Sequence, residues 1–133
     1  MIAVLFLALA LAAGEYHAEV VRVIDGDTVA VVVRAWPQVL IETRIRILGI
    51  DAPEIRGKCR AEKELAIEAR EFVRVQLPVG SKVTLRKVKP DKYAGRHDAD
   101  VWTSRGESVA ALLIAKGLAR PYAGAARAGW CGL

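Results

Sequence analysis

Long apolar runs are almost missing from this 133-residue chain. The longest, residues 1–13 (MIAVLFLALALAA), falls short of the ~20 residues that cross a bilayer. Cysteine is as scarce. Two residues exclude a disulfide-dense scaffold and a Cys-only zinc site. The two histidines, His17 and His97, stand apart and join no His–Cys group. Acid is the minority charge, with 15 Asp and Glu against 20 Lys and Arg, a net charge of +5. No internal repeat and no linker-like stretch interrupts the chain. Length and composition describe one domain, able to bury its own core.

The excess of base points to an anionic partner. Arg dominates the basic set, and its planar fork matches phosphate oxygens. Charge alone leaves open a merely soluble basic domain. Residues 1–13 fit the apolar core of a secretory signal peptide. Small residues for cleavage stand at Ala8, Ala10, Ala12 and Ala18. No Lys or Arg precedes the run, so a retained membrane anchor is the alternative. The division read here is a leader over 1–18 and a domain over 19–133, with the product exported.

Apolar patterning predicts strands at about 19–25, 28–34, 40–48, 82–88 and 98–102. In LIETRIRIL, Ile41, Thr43, Ile45 and Ile47 share one face. Glu42, Arg44 and Arg46 share the other. Helices are predicted over 61–77, with Leu65, Ala69, Phe72, Val73 and Leu77 as the apolar stripe, and over 108–116, with Gly117 as the C-terminal cap. Ser104-x-x-Glu107 has the form of a capping box, but TSRG suits a hairpin turn better. Residues 35–39, 90–96 and the tail after Pro121 read as loops. Five strands with a helix between the third and fourth predict an α+β domain, an OB-fold Greek-key barrel with two helices.

Three carboxylates stand at turns. Asp27 follows Gly26, and Asp51 and Glu54 lie in Asp-Ala-Pro-Glu, where Pro53 fixes their spacing. Each alone would be an ordinary turn former. Clustered near Arg46 they call for a cation, and hard oxygen donors suit Ca²⁺ or Mg²⁺ rather than zinc. Residues 82–96 carry Lys82, Arg86, Lys87, Lys89, Lys92 and Arg96 against one acid, Asp91. They make either a solvated face or a phosphate-binding wall, with Tyr93 free to stack or hydrogen-bond. Acids that hold a metal beside arginines that hold phosphate suit phosphoryl chemistry.

Four stretches carry a resemblance: Val23-Ile24-Asp25-Gly26-Asp27-Thr28-Val29, Arg46-Ile47-Leu48-Gly49-Ile50-Asp51-Ala52-Pro53-Glu54, Asp91-Lys92-Tyr93-Ala94-Gly95-Arg96, and Gly117-Leu118-Ala119. Through them the chain resembles the thermonuclease, or staphylococcal-nuclease-like, family over about residues 19–122. The resemblance implies an OB barrel that cleaves DNA and RNA with Ca²⁺, Mg²⁺ being second choice. It implies Asp27 and Asp51 as metal carboxylates, with the Ala52 carbonyl as third ligand where the family often has Thr. Glu54 would orient or deprotonate the attacking water. Arg46 and Arg96 would bind the scissile phosphate. Lys92 and Tyr93 would contact a flanking phosphate or sugar, and Asp25 is a nearby acid behind the ligands.

There are two departures. An extra residue separates Tyr93 from Arg96, a change that can shift Arg96. Too few residues follow Tyr122 for the family's long third helix. An exported chain with two cysteines is expected to pair Cys59 with Cys131, pinning the tail to the first helix. Two free thiols are the alternative. The expected partner is DNA and/or RNA, met by a monomer with no stable protein partner. A non-catalytic nucleic-acid-binding module is the rival reading. Against it, Asp27, Arg46, Asp51, Glu54 and Arg96 are all present. A peptide-binding domain would not need the acids.

Overall fold

A computed structural model describes residues 14–132. The apolar run 1–13, read as leader or anchor, lies outside them. In chain order the elements are β1 (Glu15–Asp25), β2 (Thr28–Trp36), β3 (Val39–Ile47), β4 (Ile50–Asp51), α1 (Arg60–Gln76), β5 (Lys82–Pro90), β6 (Arg96–Thr103), α2 (Val109–Ala115) and β7 (Arg120–Pro121). Five strands close a barrel in the order β1-β2-β3-β6-β5, with β5 returning to β1. Among the described residues, only the β3–β6 pair is parallel. This is the expected OB-type barrel with two helices. Among the described residues no helix follows α2.

The alternation on β3 builds one wall. Thr43, Ile45 and Ile47 are buried, Glu42 and Arg44 are exposed, and Arg46 is half-buried on the outer side. Val29, Val31, Ile45, Leu85 and Val101 fill the barrel. Ala69 and Val73 of α1 join the same core, with Leu65 and Phe72 partly buried against it. Gly26 lets the β1–β2 turn sit under α1. A Cβ there would lie 2.9 Å from Ala69 Cβ and 3.3 Å from Ala52 Cβ. Helix α2 starts on Ser108, whose Oγ accepts from Ala111 N–H at 3.2 Å. It ends in a Schellman motif: Gly117 (φ 71) donates to Ile114 O and Leu118 to Leu113 O.

The strands run longer than the sequence predicts. β1 begins at Glu15, not 19. Its first residues pair on both sides, His17 with Arg34 and Glu15 with Arg86. His17 is thus a strand residue. Trp36 pairs with Val39, which shrinks the predicted 35–39 loop to Pro37-Gln38, with Gln38 at φ 66. Tyr16 in β1 and Trp36 and Val39 where β2 meets β3 are residue types at home in strands and extend the ladder. Just ahead of the tail, Arg120 and Pro121 pair with Asp51 and Ile50, and the described tail after Pro121 carries neither helix nor strand, as expected. The registers place Glu15 and the Pro37-Gln38 turn at one pole of the barrel. The Asp25–Thr28 turn and the end of β3 lie at the other.

Candidate active site

At this second pole opens a cavity of about 590 Å³ whose walls include Asp27, Arg46, Glu54, Lys89, Lys92 and Arg96. The Asp27 turn is tied down by Ile47 N–H, which donates to Asp27 O at 2.8 Å. Asp27 itself is buried. Its Oδ1 accepts from Thr28 Oγ1 at 3.0 Å, and its Oδ2 lies 3.5 Å from Arg46 Nη2. Arg46 Nη1 donates to Ile47 O at 2.6 Å, and Nη2 to Ile50 O at 2.9 Å. Each terminal nitrogen carries two hydrogens, so part of the fork stays available to a second acceptor.

Arg96 lines the same cavity despite the extra residue before it. Gly95, at φ 78, absorbs the longer loop, and Arg96 enters β6 in register with Arg44. Its Nε donates to Asp91 Oδ2 at 2.9 Å, and its guanidinium lies 5.1 Å from the Tyr93 ring centre. Lys92 and Tyr93 stand exposed on the cavity wall. The basic run divides. Lys89 faces the cavity, whereas Arg86 pairs with Glu15 at 2.9 Å and stacks on Trp102. Lys87, at φ 57 in a bulge, has its Nζ 3.9 Å from Asp100. His97, which stands apart in the sequence, is half-buried, with Nδ1 2.8 Å from Thr43 Oγ1.

Asp51 and Ala52 are buried beneath the C-terminal tail. Arg127 binds Asp51 Oδ1 through Nε, at 2.7 Å, and through Nη2. The same Nη2 lies 3.4 Å from Ala52 O and 3.1 Å from Glu54 Oε1. Buried Trp130 donates from Nε1 to Asp51 Oδ2 at 3.3 Å. Arg120 stacks on the Trp130 ring at 3.7 Å and donates to Gly129 O at 2.9 Å. Cys59 and Cys131 form a disulfide, which anchors the tail at the start of α1. Cys59 also caps α1, its Sγ accepting from Glu62 N–H at 3.4 Å.

The sequence does not single out Arg127, Arg120 or Glu62. The signal was Cys131: pairing it with Cys59 carries Arg127 to the Asp51–Glu54 loop. Glu62 is buried, and its carboxylate accepts the backbone N–H of Glu54 at 3.0 Å and of Lys58 at 3.1 Å. The Glu54 bond foremost holds its pKa below the usual carboxylate range. Gly57 makes room for it, since a Cβ there would lie 2.6 Å from Glu62 Cδ.

The charges at the site are strained against one another. Burial pushes the Asp25 carboxyl up to about 7, reinforced by its hydrogen bond to Asp27 and that residue's charge. A hydrogen bond from Asp98 lowers Asp91, helped by Tyr93 N–H and Arg96. Burial, then Asp91, raises Asp98. Burial works against the charge on Arg127, but Asp51 and Glu54 outweigh it and lift its pKa.

Two buried carboxylates, Asp27 and Asp51, each lie against a guanidinium. Buried carboxylates need such cations, and their donors, like the Ala52 carbonyl, are all oxygen, the chemistry a hard divalent ion prefers; Asp27 lines the cavity, whereas Asp51 and Ala52 lie beneath the tail. The residues therefore fit the metal that the resemblance implies. The sulfurs near Glu62 are spent on the disulfide.

Residues 44–128 match the family described as staphylococcal nuclease homologue. The chain belongs to that family. The match runs from β3 through Arg127 and includes Arg46, Asp51, Ala52, Glu54 and Arg96. The chain is similar to Endonuclease YhcR of Bacillus subtilis (strain 168), with 31% identity over 118 residues, 84% of this chain and 9% of that protein. It is also similar to Protein ParB of Escherichia coli, with 34% identity over 116 residues, 81% of this chain and 58% of that protein. It thus spans only part of the length of either relative.

Proposed function

We propose that this chain is a divalent-cation-dependent nuclease that hydrolyses phosphodiester bonds of DNA or RNA with little sequence preference. The observation that carries the reading is one cavity lined by Asp27 and Glu54 together with Arg46 and Arg96. Membership of a nuclease family supports it, as does similarity to a protein named an endonuclease.

Asp27, Asp51 and the Ala52 carbonyl would hold the ion, Ca²⁺ by preference and Mg²⁺ as the alternative. When bound, it would supply positive charge to a non-bridging phosphate oxygen and acidify nearby water. Glu54, at the cavity wall, aligns the attacking water or takes its proton. Arg46 is fixed by two backbone carbonyls and Arg96 by Asp91, so both forks reach the phosphate oxygens with little reorganisation. Water adds to phosphorus, the bond to the 5′-oxygen breaks, and that oxygen leaves. Lys89 and Lys92 flank the phosphate, with Tyr93 beside a neighbouring phosphate or sugar. Contacts to backbone rather than base edges explain the weak sequence preference.

We also read the chain as exported. The apolar run 1–13 and the disulfide, which persists in oxidising compartments, support this. Because β1 begins at Glu15, cleavage ahead of that residue would spare the barrel, whereas a cut after Ala18 would remove paired residues. N-terminal sequencing of the exported product tests the boundary.

Purified protein should digest single-stranded DNA, duplex DNA or RNA with Ca²⁺ or Mg²⁺ and lose that activity in chelator. Full activity in chelator would remove the metal assignment. No cleavage of any substrate, with binding intact, would leave a nucleic-acid-binding module.

A further inference from the structure

We propose that Arg127 sets the cation affinity of this site, as a tethered guanidinium that a divalent ion must displace from Asp51 and the Ala52 carbonyl. The inference rests on the reading of Asp27, Asp51 and Ala52 as cation ligands. It concerns what holds that place when no ion does.

The contacts of Arg127 coincide with the proposed site. It touches Asp51 Oδ1, Ala52 O and Glu54 Oε1. The first two are ligand atoms and the third belongs to the acid assigned to the water. Two of its nitrogens converge on Asp51 Oδ1, using the lone pairs an ion would need. Trp130 Nε1 holds the other oxygen. Arg127 and a divalent ion therefore cannot both bind Asp51 as seen here.

The tether makes the competition effective. Arg120 clamps Trp130 on one side of the segment, and the disulfide fixes Cys131 next to it. The guanidinium is thereby held beside its carboxylates at high effective concentration. It also stands in for the ion's charge, so buried Asp51 is not left unpaired in the metal-free protein. The arrangement is still open to displacement. The Arg127 side chain is 43% exposed, and residues 123–129 lie on the surface without helix or strand. Loading with metal then requires only that this short strap release Asp51. Apparent affinity is the intrinsic affinity multiplied by the fraction of molecules in which it has done so.

The test is calorimetric titration of the full chain, stripped with chelator and then dialysed, with Ca²⁺ and separately with Mg²⁺, without nucleic acid. Arg127→Gln should bind Ca²⁺ about tenfold or more tightly than the unaltered chain. Arg127→Lys should fall between, because an ammonium keeps the charge but not the fork. In chelator, Arg127→Gln should melt lower than the unaltered chain, and saturating Ca²⁺ should raise its Tm by more. Equal or weaker Ca²⁺ affinity in both variants, with Ca²⁺-dependent cleavage retained by the unaltered chain, overturns this inference alone. Failure of every chain to bind either ion overturns it together with the metal-dependent reading.

Discussion

The carboxylate of Glu62, on the first turn of α1, accepts the backbone N–H of Glu54 at 3.0 Å. One acid thus fixes the main chain of another. Its second oxygen takes the Lys58 N–H, so the loop between Asp51 and α1 is folded around a single buried side chain. Glu62→Gln keeps the shape but replaces one acceptor with a donor facing an N–H. Denaturant unfolding should show a loss of about 1–3 kcal/mol. Catalytic rate should fall with it, because Glu54 loses its anchor. Wild-type stability in this variant would show that the loop is held by other contacts.

Arg46→Lys changes more than charge. Lysine lacks the fork that reaches both Ile47 O and Ile50 O. We expect kcat to drop by roughly 10²–10³, with a loss of stability of about 1 kcal/mol for the missing backbone bonds. The β3 alternation alone, which only aims the side chain outward, predicts no such loss. Steady-state kinetics and a melting curve on the same preparation separate the two effects.

The basic run can be dissected by position. Lys89→Ala should weaken nucleic-acid binding and reduce its salt slope by about one unit. Lys87→Gly should leave both unchanged and stabilise the fold by ~1 kcal/mol, since a left-handed φ of 57 disfavours any side chain. Binding isotherms across a salt series decide between the residues. Equal slopes for the two variants would mean that Lys87 also meets phosphate.

Asp25 makes stability depend on pH. Its folded-state pKa of about 7 stands above the ordinary 3.8, with burial as the main cause. Between these values the folded chain keeps a proton that the unfolded chain has released. The contribution is complete below about pH 4 and is lost as pH rises towards 7. In chelator, Tm should therefore decline across this window, and Asp25→Asn should flatten the decline. A slope unchanged by the substitution would assign it to other groups.

Replacing both cysteines should lower stability by up to ~4.4 kcal/mol in the chain-entropy model, given a sequence separation of 72. Serine at position 59 retains an acceptor for Glu62 N–H, so the cap of α1 survives and the difference reports the cross-link. Thiol counting in the denatured, unreduced protein should find none free.

Much of this was legible from local pattern. Period-two alternation put Ile45 and Ile47 in the core and Arg46 on the other face. Turn chemistry located Asp27, and Pro53 fixed the step from Asp51 to Glu54. Gly117 marked the end of α2 because only a left-handed residue closes that cap. The tail was illegible for the opposite reason. Its Ala- and Gly-rich stretch has no period, and Arg127 is placed by partners distant in sequence. Glu62 sits at an ordinary helical position, and only the return of the Glu54–Lys58 backbone over it makes it special.

β1 climbs from Glu15, at the pole of the Pro37-Gln38 turn, to Asp25 beside the cavity. The strand is eleven residues long, a rise of ~30 Å. Anything joined ahead of Glu15, whether a carrier protein, a bead or a surface, attaches at the far pole. The cavity, with Asp25 in its wall, lies at the opposite end of the strand from such a support.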